Sequence, residues 1–436
     1  MNIILLSGGS GKRLWPLSND IRSKQFLKLF KNDRGEYESM VQRIYGALCQ
    51  LDESNHITIA TSKTQVSAIH NQLNGDVAIS LEPCRRDTFP AIALASAYLH
   101  EVQQVSAEEV VVVCPVDPYV DKRYFEAIRE LGKLAEQGNA NLTLLGMEPT
   151  YPSEKYGYII PVSNEEVSRV KEFKEKPDVE KAKEYICQGA LWNGGVFAYK
   201  LNYVLDKAKE ILGTCRYEEL FQNYETLTKI SFDYAVVEKE ADIDVMRFVG
   251  EWKDLGTWNT LAEAMDESCM GNVKVGTACE NLHVINELDI PILCMGLKNM
   301  VVSASPDGIL ISDKEQSSFI KPYVDEIKEK IRFAEKSWGN FRVLDIEEKS
   351  MTIKVILKAG LQMKYHSHQH RNETWTVIQG QGIAIVDGVK QPISEGSVVE
   401  LPKGCKHTVI AETELHMIEV QSGKSISVED KQLWKI

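Results

Sequence analysis

The sequence contains no C-x-x-C pair, no internal repeat, no low-complexity segment and no apolar run long enough to span a bilayer. Each absence narrows the field. Nine cysteines, an odd number scattered from Cys49 to Cys405, fit reduced, mostly buried thiols rather than a disulfide framework or a thiolate zinc cluster. Positive charge is also in short supply: the net charge of -13 argues against a general binder of nucleic acid or of anionic membranes, so any phosphate site must be local. The apolar opening from Asn2 to Leu6 is too short for a signal-peptide core and has no basic stretch before it. It reads as a buried first strand in a cytoplasmic protein. What is present is ordinary for a folded chain: 436 residues, 43% hydrophobic and 26% charged, enough for two or more domains with separate cores.

Two textures follow along the chain. As far as about Pro149, β-branched runs (Ile3 to Leu6, Ile57 to Thr61, Val77 to Leu81, Val110 to Val113, Leu142 to Leu145) alternate with helix-like segments such as Pro90 to Val102 and Tyr124 to Glu136. That alternation implies βαβ units, a mostly parallel sheet, and ligands at the carboxyl ends of its strands. From Val275 to Leu310 short strands predominate, and the Lys- and Glu-rich stretch from Tyr323 to Lys336 reads as a solvated helix. Beyond Trp338, strand-like runs are punctuated by Gly360, Gly380, Gly382, Gly388, Gly396 and Gly404, which suggests a small antiparallel barrel or jelly roll. The expected organisation is a domain over residues 1–270, a β-rich connector with a helix over 271–336, and a barrel over 337–436.

The first strand runs into Ser7-Gly8-Gly9-Ser10-Gly11-Lys12-Arg13. Clustered glycines let backbone amides approach a phosphate, and the adjoining cations supply charge. A Walker motif is excluded, because Leu6 stands where its first glycine belongs and Arg13 where Ser or Thr must follow the lysine. Alone, the loop would be a glycine turn with surface charge; Ser23-Lys24-Gln25-Phe26-Leu27, a second cationic element shortly after it, favours a phosphate cradle.

The run from Gly8 to Ser18 followed by Ser23-Lys24-Gln25-Phe26-Leu27-Lys28-Leu29 resembles the signature of the mannose-1-phosphate guanylyltransferases. Further blocks agree in order: Glu82 to Thr88 with Pro90 to Ala93, Asp117, Glu154 to Ile159, Phe173 to Pro177, Leu191 to Phe197, Phe232 to Lys239 and Trp252 to Trp258. The resemblance implies an α/β fold, a glycosyltransferase-A-like (Rossmann-like) mixed sheet, in the nucleotidyltransferase domain. It also implies condensation of a sugar 1-phosphate with a nucleoside triphosphate. Such a reaction needs no protein nucleophile; positioning and charge neutralisation carry it. Arg13 and Lys24 are the candidates for the triphosphate, Lys176 for the sugar phosphate, and Asp117 and Asp254 for Mg2+, which takes one or two carboxylates besides phosphates. Asp117 follows the Val110 to Val113 run, where a strand's carboxyl end is expected. By resemblance, nucleotide contacts come from Leu6, Gly8, Gly9, Ser10, Gly11, Lys12, Arg13, Lys24, Glu82, Arg86, Thr88 and Asp117. Sugar contacts come from Gly157, Glu175, Lys176, Asn193 and Asp233. A homodimer is the expected assembly.

Departures from the family pattern cluster around the nucleotide: Lys12 where threonine is common, Ser23 where proline usually precedes the lysine, Asp87-Thr88-Phe89 after Arg86, and Pro118 after Asp117. GTP and mannose 1-phosphate rank first as substrates; another base, or another hexose or heptose 1-phosphate, stays open.

The second constellation lies near the C-terminus. His366, His368 and His370 fall close together, followed by Glu373 and, downstream, His407. On a strand, alternate side chains share a face, and clustered His with a carboxylate suits Zn, Fe, Mn or Ni. The spacing Gly360-x5-His366-x-His368-x4-Glu373-x6-Gly380, then Gly396-x5-Pro402-x-Gly404-x2-His407, resembles the two cupin motifs. A second register makes His368 and His370 the ligand pair. In longer family members the cupin is a phosphomannose isomerase interconverting mannose 6-phosphate and fructose 6-phosphate, and Thr374 here replaces the histidine that usually follows the glutamate. Isomerisation is therefore an alternative second activity.

Overall fold

The computed structural model describes residues 1–9, 11–19, 21–52, 54–73, 77–327, 331–424, 426 and 430–435. The chain divides into two compact units, one made of Met1–Ser10, Ser23–Val66 and Leu73–Asp266, the other of Gly11–Arg22, Ser67–Gln72 and Glu267–Ile436.

The first unit is built on a nine-stranded mixed sheet. Its strands Ala78–Glu82, His56–Ser62, Asn2–Ser7 and Val110–Pro115 are mutually parallel, in that order. Leu191–Lys200 then runs antiparallel between Val110–Pro115 and Leu142–Met147, and Ile243–Phe248 continues parallel to the latter. The parallel strands are covered on both faces, which is why they read as unbroken apolar runs instead of alternating ones: Val111, Val112 and Val113 are all fully buried. Helix Thr88–Ala97 is buried from Phe89 through Ala97, as an interior helix apolar on every side must be. Helix Lys122–Glu136 is instead amphipathic. Asp121 caps it by accepting from the Arg123 amide at 2.9 Å, and Tyr124, Ile128, Leu131 and Ala135 form its buried stripe. Each large side chain so buried contributes roughly 1.5–3 kcal/mol.

In the second unit, short strands stack in parallel: Cys269–Met270 on His283–Asn286, the latter on Met300–Ser305, and Val273–Val275 on Ile292–Cys294. Leu282, Val284, Cys294 and Val302 form their core. The solvated helix expected from Tyr323 to Lys336 is corrected. Helix is confined to Lys321–Glu326, while Phe333–Lys336 is a strand paired with Gly339–Ile346; residues 328–330 lie outside the described residues. Ala334 is fully buried in that ladder, so tertiary pairing overrides the helical propensity of the surrounding Lys and Glu. The C-terminal part is an antiparallel barrel of a six-stranded and a five-stranded sheet, the cupin expected. Its core includes Val355, Leu357, Trp375, Val409 and Met417.

Candidate functional site

A small ribbon in the first unit joins the two aspartates that the sequence holds far apart. Pro118–Val120 pairs antiparallel with Trp252–Asp254, with Asp254 opposite Pro118. Asp117 follows the strand Val110–Pro115 and so leads directly into this ribbon. Both carboxylates reach one ammonium: Lys24 Nζ stands 2.8 Å from Asp117 Oδ2 and 3.1 Å from Asp254 Oδ1. Burial alone would lower the Lys24 pKa, but Asp117 and Asp254 outweigh it and hold the group above its ordinary value. Lys24 is therefore a fixed cation. Two carboxylates with about one-third of their side-chain surface exposed suit Mg2+, which completes its shell with water and substrate phosphates.

The strand Asn2–Ser7 leads into Gly8 and Gly9, both exposed. Gly9 has φ +93°, and a Cβ on either residue would meet nothing within 4 Å. Space inside the protein therefore does not demand glycine at these positions. Left-handed backbone at Gly9 and close approach from the open side do. Behind the turn, motif residues meet Gln65, which belongs to no motif: the Gly9 carbonyl accepts from Ser23 Oγ at 3.0 Å and Gln65 Nε2 at 3.3 Å, and from the exposed Arg85 at 3.2 Å. Ser10 lies outside the described residues. Gly11, Lys12 and Arg13 belong to the second unit. There Gly11 adopts φ +62°, Arg13 is exposed on the turn Lys12–Leu14, and Lys12 pairs with Asp325 at 3.2 Å.

The remaining nucleotide candidates differ in their local engagement. Glu82 is 8% exposed and accepts from Tyr224 Oη at 3.0 Å; burial pushes its pKa up to about 7. Thr88 Oγ1 accepts from the Phe232 amide at 2.8 Å, a structural bond that ties the start of its helix. Leu6 offers its carbonyl to the Val116 amide. Arg86 is half-buried, with Nε lacking a partner among the described residues.

The sugar candidates form two contacts in the first unit. Asn193 Nδ2 donates to Asp233 Oδ1 at 2.6 Å, while its own Oδ1 accepts from the Gly195 amide. Burial, with Glu175 nearby, raises the Asp233 carboxyl to about 6. Lys176, at φ +46°, pairs with Glu175. Gly157 lies against them: a Cβ there would stand 2.6 Å from Glu175 Oε2 and 2.7 Å from Phe173 Cζ. The Asn193 amide donates to the Gly157 carbonyl at 2.8 Å. The sequence did not single out the aromatic trio of Tyr156, Trp192 and Trp252, whose ring centroids are 4.9 to 6.3 Å apart. Trp192 and Trp252 flank Asn193 and Asp254 in the chain, and both indole N–H groups are buried without a partner among the described residues.

In the barrel, His366, His368, Glu373 and His407 converge, each offering a ligand atom within 4.8 Å of the others, and all four are buried. The pairing of His366 with His407 across two strands supplies one link. Each imidazole uses Nδ1 on a backbone carbonyl: His366 on Lys364, His368 on Asp430, His407 on Cys405. With Nδ1 as donor, Nε2 is the basic atom, which is how metal-binding imidazoles are oriented. Burial lowers the pKa of His366 and of His368. Burial would raise Glu373, but the charged surroundings, with the Arg371 guanidinium 2.8 Å from Oε1, outweigh it and hold the carboxylate ionised. His407 Nε2 is buried with no hydrogen-bond partner among the described residues, 3.4 Å from Glu373 Oε2. Buried imidazole nitrogens, a carboxylate held ionised and an orphaned ring nitrogen fit a divalent transition metal.

Two expectations about this cluster change. His370, the alternative ligand, is exposed and lies outside the group, because the chain turns there before the strand Arg371–Gln379. Thr374 lies on the other face of that strand from Glu373, since Arg371, Glu373, Trp375 and Val377 are the buried alternation. A histidine at 374 would not face the ligands. Arg371 donates to Glu373 Oε1 at 2.8 Å.

Residues 2–270 match the family model described as nucleotidyl transferase, and residues 325–433 match that described as mannose-6-phosphate isomerase C-terminal. Mannose-1-phosphate guanylyltransferase ManC of Salmonella typhimurium is 29% identical, over 98% of this chain and 96% of its own. A putative mannose-1-phosphate guanylyltransferase of Vibrio cholerae is 30% identical over 98% of both chains. Among solved structures, one described as a mannose-1-phosphate geranyltransferase from Thermus thermophilus matches with TM-score 0.63 and 29% identity, covering 75% of this chain and 99% of that one. With the sheet, the ribbon carboxylates and these matches together, the chain belongs to the nucleotidyl transferase family, as an enzyme with a C-terminal cupin.

Proposed function

We propose that the protein condenses mannose 1-phosphate with GTP, giving GDP-mannose and pyrophosphate. The observation that carries this reading is the convergence of Lys24, Asp117 and Asp254 on a ribbon beyond the carboxyl end of a central strand, the position at which open α/β sheets bind ligands. A phosphate oxygen of the sugar 1-phosphate attacks the α-phosphorus of the nucleotide in line, forming one P–O bond as the bond to pyrophosphate breaks. Mg2+ held by Asp117 and Asp254 would supply charge neutralisation on the phosphates. Lys24 binds the triphosphate beside the Gly8–Gly9 turn, and Ser10, Gly11, Lys12 and Arg13 join the nucleotide set by resemblance to the family signature. Leu6, Glu82, Arg86 and Thr88 contribute to the nucleotide pocket. Lys176 binds the sugar phosphate, and Gly157, Glu175, Asn193 and Asp233 orient the hydroxyls. A carboxylate and an amide joined as Asp233 and Asn193 are suit recognition of vicinal hydroxyls.

The relatives' names and near-complete coverage support mannose and guanine. Chromatographic detection of GDP-mannose from GTP and mannose 1-phosphate tests the reading, and absence of that product defeats it. Residues 1–270, 271–336 and 337–436 serve as transferase, connector and cupin of a cytoplasmic homodimer. The buried four-residue cluster favours a second activity of the cupin, isomerisation of mannose 6-phosphate and fructose 6-phosphate, with a divalent Zn, Fe, Mn or Ni held by His366, His368, Glu373 and His407. Formation of fructose 6-phosphate by the metal-replete full chain tests it.

A further inference from the structure

Behind the exposed Gly8–Gly9 turn lies a polar network that holds the turn from its inner side. Ser7, Ser23, Thr61 and Gln65 are fully buried and Gln25 is 1% exposed. Gln65 is its hub. Its Nε2 donates to Ser23 Oγ at 2.7 Å and to the Gly9 carbonyl at 3.3 Å, and its Oε1 accepts from Thr61 Oγ1 at 3.0 Å and Gln25 Nε2 at 3.3 Å. Ser23 Oγ donates to the same Gly9 carbonyl at 3.0 Å, and Gln25 Nε2 lies 3.4 Å from the Gly8 carbonyl and 3.2 Å from Ser7 Oγ.

Burying five polar side chains is costly unless they bond one another, and such a network is retained where it fixes a geometry. The geometry here is that of two successive carbonyls. A trans peptide is planar, with its N–H opposite its C=O. Drawing the Gly8 carbonyl inward therefore turns the Gly9 amide away from the network, to the side on which Gly8 and Gly9 are exposed and a Cβ would meet nothing. The positive φ of Gly9 would let the turn relax into other conformations, because glycine is conformationally permissive. The clamp on its carbonyl selects one of them.

We propose that Gln65, with Ser23 and Gln25, is a positioning clamp for the Gly8–Gly9 turn and acts selectively on nucleoside triphosphate binding. The proposal rests on the nucleotidyl-transfer reading above. Gln65 is a positioning residue, acting through the backbone it holds. Ser23 gains a specific role in the clamp, since a proline at that position could not donate to the Gly9 carbonyl.

The test is steady-state kinetics of the full chain carrying Gln65→Met, which keeps the volume and removes the amide, and, separately, Ser23→Ala, a milder change that leaves the hub in place. The clamp predicts that KM for GTP rises about tenfold or more in Gln65→Met and less in Ser23→Ala, with KM for mannose 1-phosphate and kcat within about twofold. An unchanged KM for GTP, or an equal rise in both KM values, overturns it. Amide hydrogen exchange at the Gly8–Gly9 turn, read by mass spectrometry, separates this claim from the reading beneath it. If the wild type turned over no nucleotide with any sugar phosphate, nucleotidyl transfer would fail. Faster exchange at the turn in either folded variant would still support the clamp, and unchanged exchange would reject it.

Discussion

Lys24 Nζ lies 2.8 Å from Asp117 Oδ2, a contact that ties the segment after the first glycine turn to the loop after a central strand. Asp254 reaches the same ammonium from the partner strand of the ribbon. The lysine thus balances two carboxylates whose proposed role is to hold Mg2+.

Neutralising either carboxylate removes half of that ligand set. Asp117→Asn and Asp254→Asn should each lower kcat/KM by about a hundredfold or more, a loss typical of removing one electrostatic partner of a reacting phosphate, while raising the Mg2+ concentration for half-maximal rate. Pyrophosphate release titrated with Mg2+ measures both. Activity within a few-fold of wild type in both variants would remove the ribbon from the site.

Asp233 carries a pH signature. Its carboxyl titrates near 6 in the folded protein, above the ordinary 3.8, because of burial and the neighbouring Glu175. The folded state therefore binds this proton more tightly than the unfolded state. Its contribution favours folding at low pH and is lost as pH rises from about 4 through about 6. Asp233→Asn removes that cost. The variant should be more stable than wild type at pH 8, by on the order of 1–2 kcal/mol, and gain nothing at pH 4. Its KM for the sugar 1-phosphate should rise. Thermal melts at the two pH values check the sign, and a larger gain at pH 4 than at pH 8 would contradict it.

Gly157→Ala should act on the sugar side alone. The new methyl meets Glu175 Oε2 at 2.6 Å and Phe173 Cζ at 2.7 Å, closer than van der Waals contact permits, so Glu175 must move. About a tenfold rise in KM for mannose 1-phosphate, with KM for GTP unchanged, is the expected result of displacing a substrate-positioning group. Equal effects on both KM values would argue for general distortion of the fold.

In the cupin, prolonged chelation should remove about one equivalent of divalent metal per chain and lower the barrel's melting temperature, since metal bound only by the folded state stabilises it. His366→Ala and His407→Ala should abolish metal retention. His370→Ala and Thr374→His should leave it intact, because those positions lie outside the cluster or on the opposite face of the strand. Elemental analysis of the purified variants decides each case.

Much of this architecture is legible in the chain itself. The β-branched runs around Ile3, Ile57 and Val111 mark the parallel strands because burial on both faces leaves little choice of residue. The spacing from His366 to Glu373 and on to His407 identifies the cupin cluster because short-range strand geometry controls most of it. The ribbon is different. Each of its strands has three residues, too few for a periodic signal, and its partners are remote in sequence. Gln65 gives no signal at all, since a buried amide in a network resembles a surface glutamine until its neighbours are known. The stretch from Tyr323 to Lys336 misleads because its charged composition speaks for helix, while pairing of Phe333–Lys336 with Gly339–Ile346 is a tertiary choice.

The most direct test is pyrophosphate release by the wild-type chain with Mg2+, across the four nucleoside triphosphates, each with mannose 1-phosphate, glucose 1-phosphate and a heptose 1-phosphate. The account predicts the highest kcat/KM for GTP with mannose 1-phosphate, lowered about a hundredfold or more by Asp254→Asn. Turnover confined to another pair would contradict the assignment of substrates, and turnover with none would contradict nucleotidyl transfer itself.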